Sequence, residues 1–102
     1  MEKREKDTKR VRKRLEIRFG PEDPRFIGYS GNISPTGLMV RTTRVFAPGT
    51  VLIIELIAAG RAIPMRGRVM WARQGDVRLL GTGRIGMGIR LIEPPDGFLD
   101  SL

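Results

Sequence analysis

Two arginines stand four positions apart just before the first apolar stretch of the chain. Arg10 and Arg14 fall on the same side of the backbone whether the segment is extended or helical. A guanidinium group donates parallel hydrogen bonds to phosphate or guanine and stacks on flat rings, so the pair could grip one anionic ligand. Lys9 and Arg12 are adjacent candidates for phosphate contacts. Taken alone, such a basic run is also typical of a solvated arm or a nonspecific phosphate binder.

A second group of polar residues surrounds a predicted turn. Asn32 and Ser34 stand two positions apart at the end of a predicted strand, so their side chains project to the same side. Gly37 leaves room for a close approach to the backbone. Asn, Ser, Pro and Gly are also the residue types that ordinary turns favour, and this group taken alone indicates no more than a turn.

Catalytic chemistry has few candidates in this sequence. It contains no Cys and no His, which excludes thiol nucleophiles, disulfides, Cys/His zinc sites and Ser-His-Asp arrangements. Glu22 and Asp23 are neighbours in a loop, where adjacent acids are usually solvated. All lysines lie in residues 1–13, a poor place for a desolvated amine nucleophile. We therefore expect a binding protein rather than an enzyme, with no catalytic residue, no metal site and no cofactor.

The charge of the chain is unevenly spread. The 19 Lys and Arg residues and 11 Asp and Glu residues give a net charge of +8. Residues 1–18 hold nine of the basic side chains and four of the acids, so the N-terminal segment is the basic pole. Every basic residue after it is an arginine. This distribution favours an anionic partner.

The elements that position these residues follow from alternation and turn signals. Leu15, Ile17 and Phe19 alternate with charged residues and predict a first strand. Further strands are predicted over residues 26–33, 38–43, 51–57, 65–72 and 85–91, and a short helix over 97–102. Six short strands predict an all-β fold, a small antiparallel barrel. We divide the chain into a flexible basic arm, residues 1–13, and one barrel domain, residues 14–102.

In this order and spacing, the two motifs resemble those of the PilZ domain family. Members of this family are bacterial receptors for the second messenger cyclic di-GMP. Arg10 and Arg14 match the R-x-x-x-R motif, and Asn32, Ser34 and Gly37 match [D/N]-x-S-x-x-G. A second R-x-x-x-R ends inside the first predicted strand, whereas the family's pair precedes that strand. Residues 38–40, 69–71 and 88–91 and the turn at 48–50 look like the later strands of the family and their connection, so the resemblance covers nearly the whole chain.

The resemblance implies a six-stranded barrel of the split-barrel type and cyclic di-GMP as the ligand. It implies that Asn32 and Ser34 hydrogen-bond a guanine, that Gly37 lets the base approach, and that Arg10 and Arg14 hold guanine or phosphate. The motif allows either Asp or Asn at its first position. Asn32 has no carboxylate, so weaker contacts to the base are expected than with Asp.

Trp71 is an additional candidate for the site. Some relatives place an aromatic residue near the ligand at this position. The predicted strand face that Trp71 shares with Met65 and Val69 favours a core position instead.

We expect the arm to order over the barrel when cyclic di-GMP binds and to change the surface shown to a separate protein partner. One or two ligand molecules are compatible with the motifs. Two alternatives are a small basic barrel that binds nucleic acid, which the few aromatic residues oppose, and a protein-interaction module without ligand, which the intact motifs oppose. No signal peptide or membrane-length apolar segment is visible, so a cytoplasmic location without membrane insertion is expected.

Overall fold

Six antiparallel strands close into a barrel. The structure is a computed structural model that describes residues 10–102. The strands are β1 (Glu16–Gly20), β2 (Phe26–Ile33), β3 (Gly37–Arg41), β4 (Val51–Ala58), β5 (Arg61–Arg73) and β6 (Gly86–Ile92). They are joined in the order β1-β2-β3-β6-β5-β4, and β4 closes the barrel on β1. The predicted all-β, six-stranded antiparallel barrel is confirmed.

The barrel interior is filled by side chains that alternate along the strands. The fully buried apolar residues include Ile17, Phe19, Ile33, Val40, Leu52, Ile54, Leu56 and Met87. Because the side-chain period of a strand is two, the intervening residues face outward. The candidate site is built from these outward residues on β2, β3, β5 and β6.

Two short 3₁₀ helices complete the described chain. The first spans Val77–Leu79 between β5 and β6, and the second spans Phe98–Ser101. Phe98 and Leu99 are buried against the core, so the predicted C-terminal helix is present as a single 3₁₀ turn. No helix among residues 10–102 is long and apolar enough to cross a membrane.

The segment before β1 lies along β2. Val11 and Ile33 exchange both backbone hydrogen bonds, at 2.8 and 2.9 Å. Residues 10–13, the described part of the predicted arm, are therefore attached to the barrel at this bridge. Lys9 lies outside the described residues, and the division of the chain at residue 13 stays a prediction.

Candidate ligand-binding site

A cavity of about 270 Å³ lies on the outer face of the barrel, over the neighbouring strands β2, β3, β6 and β5. Its lining includes Arg10, Asn32, Ser34 and Gly37, four of the five motif residues. The remaining lining residues are Leu38, Met39, Met70, Trp71, Gly88 and Ile89. We refer to it as the first cavity.

Ser34 closes the turn between β2 and β3. Its Oγ accepts the N–H groups of Gly37 at 3.2 Å and Thr36 at 3.3 Å. The Ser34 N–H donates to the Gly37 carbonyl at 2.8 Å, and the Leu91 N–H donates to the Thr36 carbonyl at 2.8 Å. The Ser34 bonds close the turn, and the Leu91 bond fastens it to β6. The Ser34 hydroxyl thus shapes the turn and also lines the first cavity.

Gly37 allows β3 to approach β6. A Cβ at this position would lie 2.7 Å from the carbonyl oxygen of Ile89. Because the obstacle is backbone within a sheet, it has little freedom to move aside. The observed reason for glycine here is strand packing, while its role in admitting a base stays a prediction.

Trp71 is 40% exposed and lines the first cavity, so the prediction of a core position is wrong. A β-bulge interrupts the pairing of β5 with β6, where Val69 pairs with Ile89 but Trp71 pairs with the next residue, Gly88. The extra residue is Met70. One inserted residue reverses the alternation, so Trp71 faces outward although Val69 faces the core.

The Trp71 indole lies directly over Gly88, where a Cβ would overlap its Nε1. On the other side, Gly88 pairs with Met39, and a Cβ on Gly31 would lie 3.1 Å from the Met39 Sδ. Gly31, Met39, Gly88 and Trp71 therefore form a row across four strands, which we call the outer row. Its two glycines leave the large side chains lying flat, a surface on which a purine can stack. The motifs did not point to Met39 or Gly88, and the only signal was a glycine inside a predicted strand.

Arg14 does not line the first cavity. Its guanidinium carbon lies 4.3 Å from the ring centroid of Tyr29. It lines a second cavity of about 260 Å³, together with Tyr29, Arg41, Val77, Leu80 and Gly81. Arg12 is exposed and lines neither of these cavities. The two arginines of the first motif thus stand at two cavities rather than one.

The turn after β5 forms the wall of the second cavity. Asp76 caps its 3₁₀ helix, since the Arg78 N–H donates to Oδ1 at 2.9 Å and the Arg78 side chain donates to Oδ2 at 3.2 Å. These two bonds lower the pKa of the Asp76 carboxyl. Gly81 adopts a φ of 92° at the end of this turn, and its carbonyl accepts from Arg41 Nη1 at 3.3 Å.

Ser30 holds the arginine segment on the barrel. This side chain is only 2% exposed. Its Oγ donates to the Lys13 carbonyl at 2.5 Å and accepts the Leu15 N–H at 2.9 Å. Its own N–H donates to the Leu15 carbonyl at 2.8 Å. One serine, which neither motif includes, therefore fixes the backbone on both sides of Arg14.

We expect Ser30→Ala to lower the free energy of unfolding by about 1–3 kcal/mol, because it removes the partner of the Leu15 N–H and the Lys13 carbonyl. The midpoint of urea unfolding measures this effect. Ser101→Ala is the matched control, since Ser101 is exposed at the end of the last 3₁₀ helix. Equal midpoints for the two variants would contradict the role of Ser30.

The electrostatics of both cavities are cationic. Among residues 10–102, the ion pairs join Arg18 to Glu16, Arg25 to Asp23 and Arg78 to Asp76, and all of them lie at the surface. None uses an arginine that lines the first cavity or one that lines the second. In the same part of the chain, no group of three or more acidic side chains could hold a metal ion. The chemistry that these cavities offer is the binding of an anion.

A closed antiparallel barrel with an arginine, an amide and an indole around an outer cavity, and two further arginines at a second cavity, defines a small binding module. The chain matches the sequence profile of the PilZ domain over residues 3–99. It belongs to the PilZ domain family, a family of cyclic di-GMP receptors whose domains are binding modules rather than enzymes. The resemblance seen in the motifs is thereby confirmed.

The fold is also similar to that of a solved structure. The crystal structure of the PilZ domain of CeSA, from a cellulose-synthesizing bacterium, superposes with a TM-score of 0.57 at 19% sequence identity. The match covers 84% of this chain and 83% of that chain. At this identity the likeness establishes the fold alone. No curated protein matches the chain.

Proposed function

We propose that this chain is a cyclic di-GMP receptor that binds the ligand in the first cavity and signals through a separate protein. The observation that carries the proposal is the meeting of Arg10, Asn32 and Trp71 at one cavity. These residues come from three segments that are distant in the sequence. Each offers what a guanine nucleotide needs: a guanidinium for phosphate or the base, an amide for the base edge, and an indole for stacking.

Asn32 is suited to recognise a base. It is exposed at the end of β2, and its side-chain amide has no hydrogen-bond partner among residues 10–102. An amide presents two donors and an acceptor, so it can pair with both kinds of group on a guanine edge. Ser34 adds a hydroxyl at the same rim, within the turn that fixes the position of Asn32.

Signalling would follow from a change of surface. Residues 10–13 of the basic arm already lie on the barrel, and we infer that ligand binding orders its residues 1–9, which lie outside the described residues, because residues 1–18 hold nine of the 19 basic side chains and the ligand carries two negative phosphates. Binding would offset the repulsion among these charges and the entropy of ordering the arm. The covered cavity and the arm would then form the surface that the partner protein recognises.

Calorimetric titration with cyclic di-GMP tests the proposal. We expect the unmodified protein to bind, and we expect Arg10→Met to bind about tenfold more weakly or worse, since a guanidinium contact to a base or phosphate is worth about 1–3 kcal/mol. Arg61→Met removes the same charge from an exposed residue that lines neither cavity, and it should bind like the unmodified protein. No heat at tens of micromolar ligand, or equal binding by all three proteins, would overturn the proposal.

Single-stranded nucleic acid fits the surface less well. Trp71, at 40% exposure, is the one aromatic residue of residues 10–102 that is neither buried nor half-buried, whereas a stacking platform for a strand uses several. Affinity for an oligonucleotide that collapses with salt and is unchanged in Arg10→Met would favour nucleic acid instead.

A further inference from the structure

The second cavity contains a guanidinium donor without an acceptor. Arg41 extends from the end of β3, and its Nε is buried with no hydrogen-bond partner. Its Nη1 makes one long bond, 3.3 Å, to the Gly81 carbonyl. Folded proteins pair nearly all their buried polar atoms, because an unpaired donor loses its hydration without compensation. An orphaned Nε beside a cavity therefore points to an acceptor that a ligand supplies.

Arg41 stands between the two cavities. A Cβ on Gly31 would lie 3.3 Å from Arg41 Nε and 3.1 Å from Met39 Sδ. Met39 lines the first cavity and Arg41 lines the second. The two cavities are therefore neighbours across Gly31, which has no side chain to separate them.

Like the first cavity, the second combines guanidinium and aromatic side chains. It offers two guanidinium groups, those of Arg14 and Arg41, and the ring of Tyr29 below Arg14. Its lining contains no carboxylate. Two guanidinium groups without a counter-charge suit a phosphate, which accepts parallel hydrogen bonds from each.

The sizes of the cavities favour joint use. The first measures about 270 Å³ and the second about 260 Å³. Sites for small molecules usually measure about 300–1,000 Å³. Each cavity falls below that range, and only the two together lie well within it. A ligand with two bases and two phosphates has the extent and the charge to use both.

We propose that the second cavity is the other half of the ligand site and that Arg41, which belongs to neither motif, contacts the ligand. When the ligand binds, the Arg41 side chain turns so that its buried Nε becomes accessible, and Nε and one Nη then donate to a phosphate of the cyclic dinucleotide whose base occupies the first cavity. This assignment rests on the proposed function. It also accounts for the separation of Arg10 from Arg14, because each arginine then serves one half of the same ligand.

The experiment compares cyclic di-GMP titrations of Arg41→Met, Arg41→Lys and the charge-matched control Arg61→Met. We expect Arg41→Met to bind at least about fivefold more weakly than the unmodified protein. Arg41→Lys keeps the charge but loses the Nε donor and the planar fork, so it should also bind more weakly. The control should bind like the unmodified protein.

Thermal unfolding separates ligand contact from a structural role. Without ligand, Arg41→Met should unfold close to the temperature of the unmodified protein, since Arg41 makes only one long hydrogen bond. With ligand, its stabilisation should be smaller, because the shift depends on affinity.

Each outcome bears on a different statement. Absence of binding by the unmodified protein would overturn the proposed function and the Arg41 contact together. Binding that Arg10→Met weakens and Arg41→Met leaves unchanged would overturn only the Arg41 contact. Full affinity in Arg41→Lys would overturn the assigned Nε donation.

Discussion

Gly88→Ala is expected to weaken cyclic di-GMP binding by about tenfold or more while the barrel stays folded. A Cβ at this position would overlap the Trp71 indole, which is 40% exposed and therefore has space to swing away. The outer row would then no longer present a flat surface on which a base can stack. Stacking of a base on an aromatic ring is worth about 1–3 kcal/mol, which is the affinity at stake.

A double-mutant cycle shows whether Gly88 acts through Trp71. Calorimetry would compare Gly88→Ala, Trp71→Leu and the double variant. If the glycine serves only to seat the indole, adding Gly88→Ala to Trp71→Leu should change the affinity little. Fully additive losses of affinity, or an affinity of Gly88→Ala equal to that of the unmodified protein, would contradict the claim that Gly88 positions the Trp71 indole for stacking.

Gly86→Ala is expected to cost about 3 kcal/mol of unfolding free energy or more, the largest effect on stability that we predict. Gly86 has a φ of 131°, which lies in a backbone region that residues other than glycine rarely adopt. A Cβ there would also overlap the carbonyl oxygen of Val40 on the adjacent strand. Strain and overpacking each cost about 1–3 kcal/mol.

Urea unfolding tests this prediction against a matched glycine. Gly81 also has a positive φ, 92°, but a Cβ there would meet nothing within 4 Å. Gly81→Ala therefore carries the strain without the clash and should lose less stability. A midpoint for Gly86→Ala as high as that for Gly81→Ala would show that the contact with Val40 is unimportant.

The barrel could be predicted because burial imposes a period of two on a strand with one solvated face. The same rule failed at Trp71. From Met65 to Val69 uncharged residues alternate with arginines, but the residues from Val69 to Ala72 are all apolar, so the sequence does not mark a change of face. The inserted residue is visible only against the partner strand, where Val69 and Trp71 oppose consecutive residues of β6. A bulge depends on pairing, which a single strand does not encode.

The split of the arginine pair has a related cause. Val11 bonds to Ile33 and Leu15 bonds to Ser30, so four steps along the N-terminal segment oppose three steps along β2. The extra residue breaks the alternation between Arg10 and Arg14. The spacing of the two arginines in the sequence does not reveal this extra residue, and it therefore predicted that both side chains lie on one side. Ser30 closes this irregularity through its hydroxyl. The motif residues Asn32, Ser34 and Gly37 could be located because they lie in one short segment, from the end of β2 through the turn to the first residue of β3.

The position of Trp71 also provides the most direct test that this PilZ domain binds cyclic di-GMP in the first cavity. It is the only tryptophan of the chain, so its indole N–H gives one identifiable signal in an N–H correlation NMR spectrum. Titration with cyclic di-GMP is predicted to shift this signal until it saturates, and Arg10→Met should need about tenfold more ligand for the same shift. An indole signal that does not move at any ligand concentration would contradict binding in the first cavity.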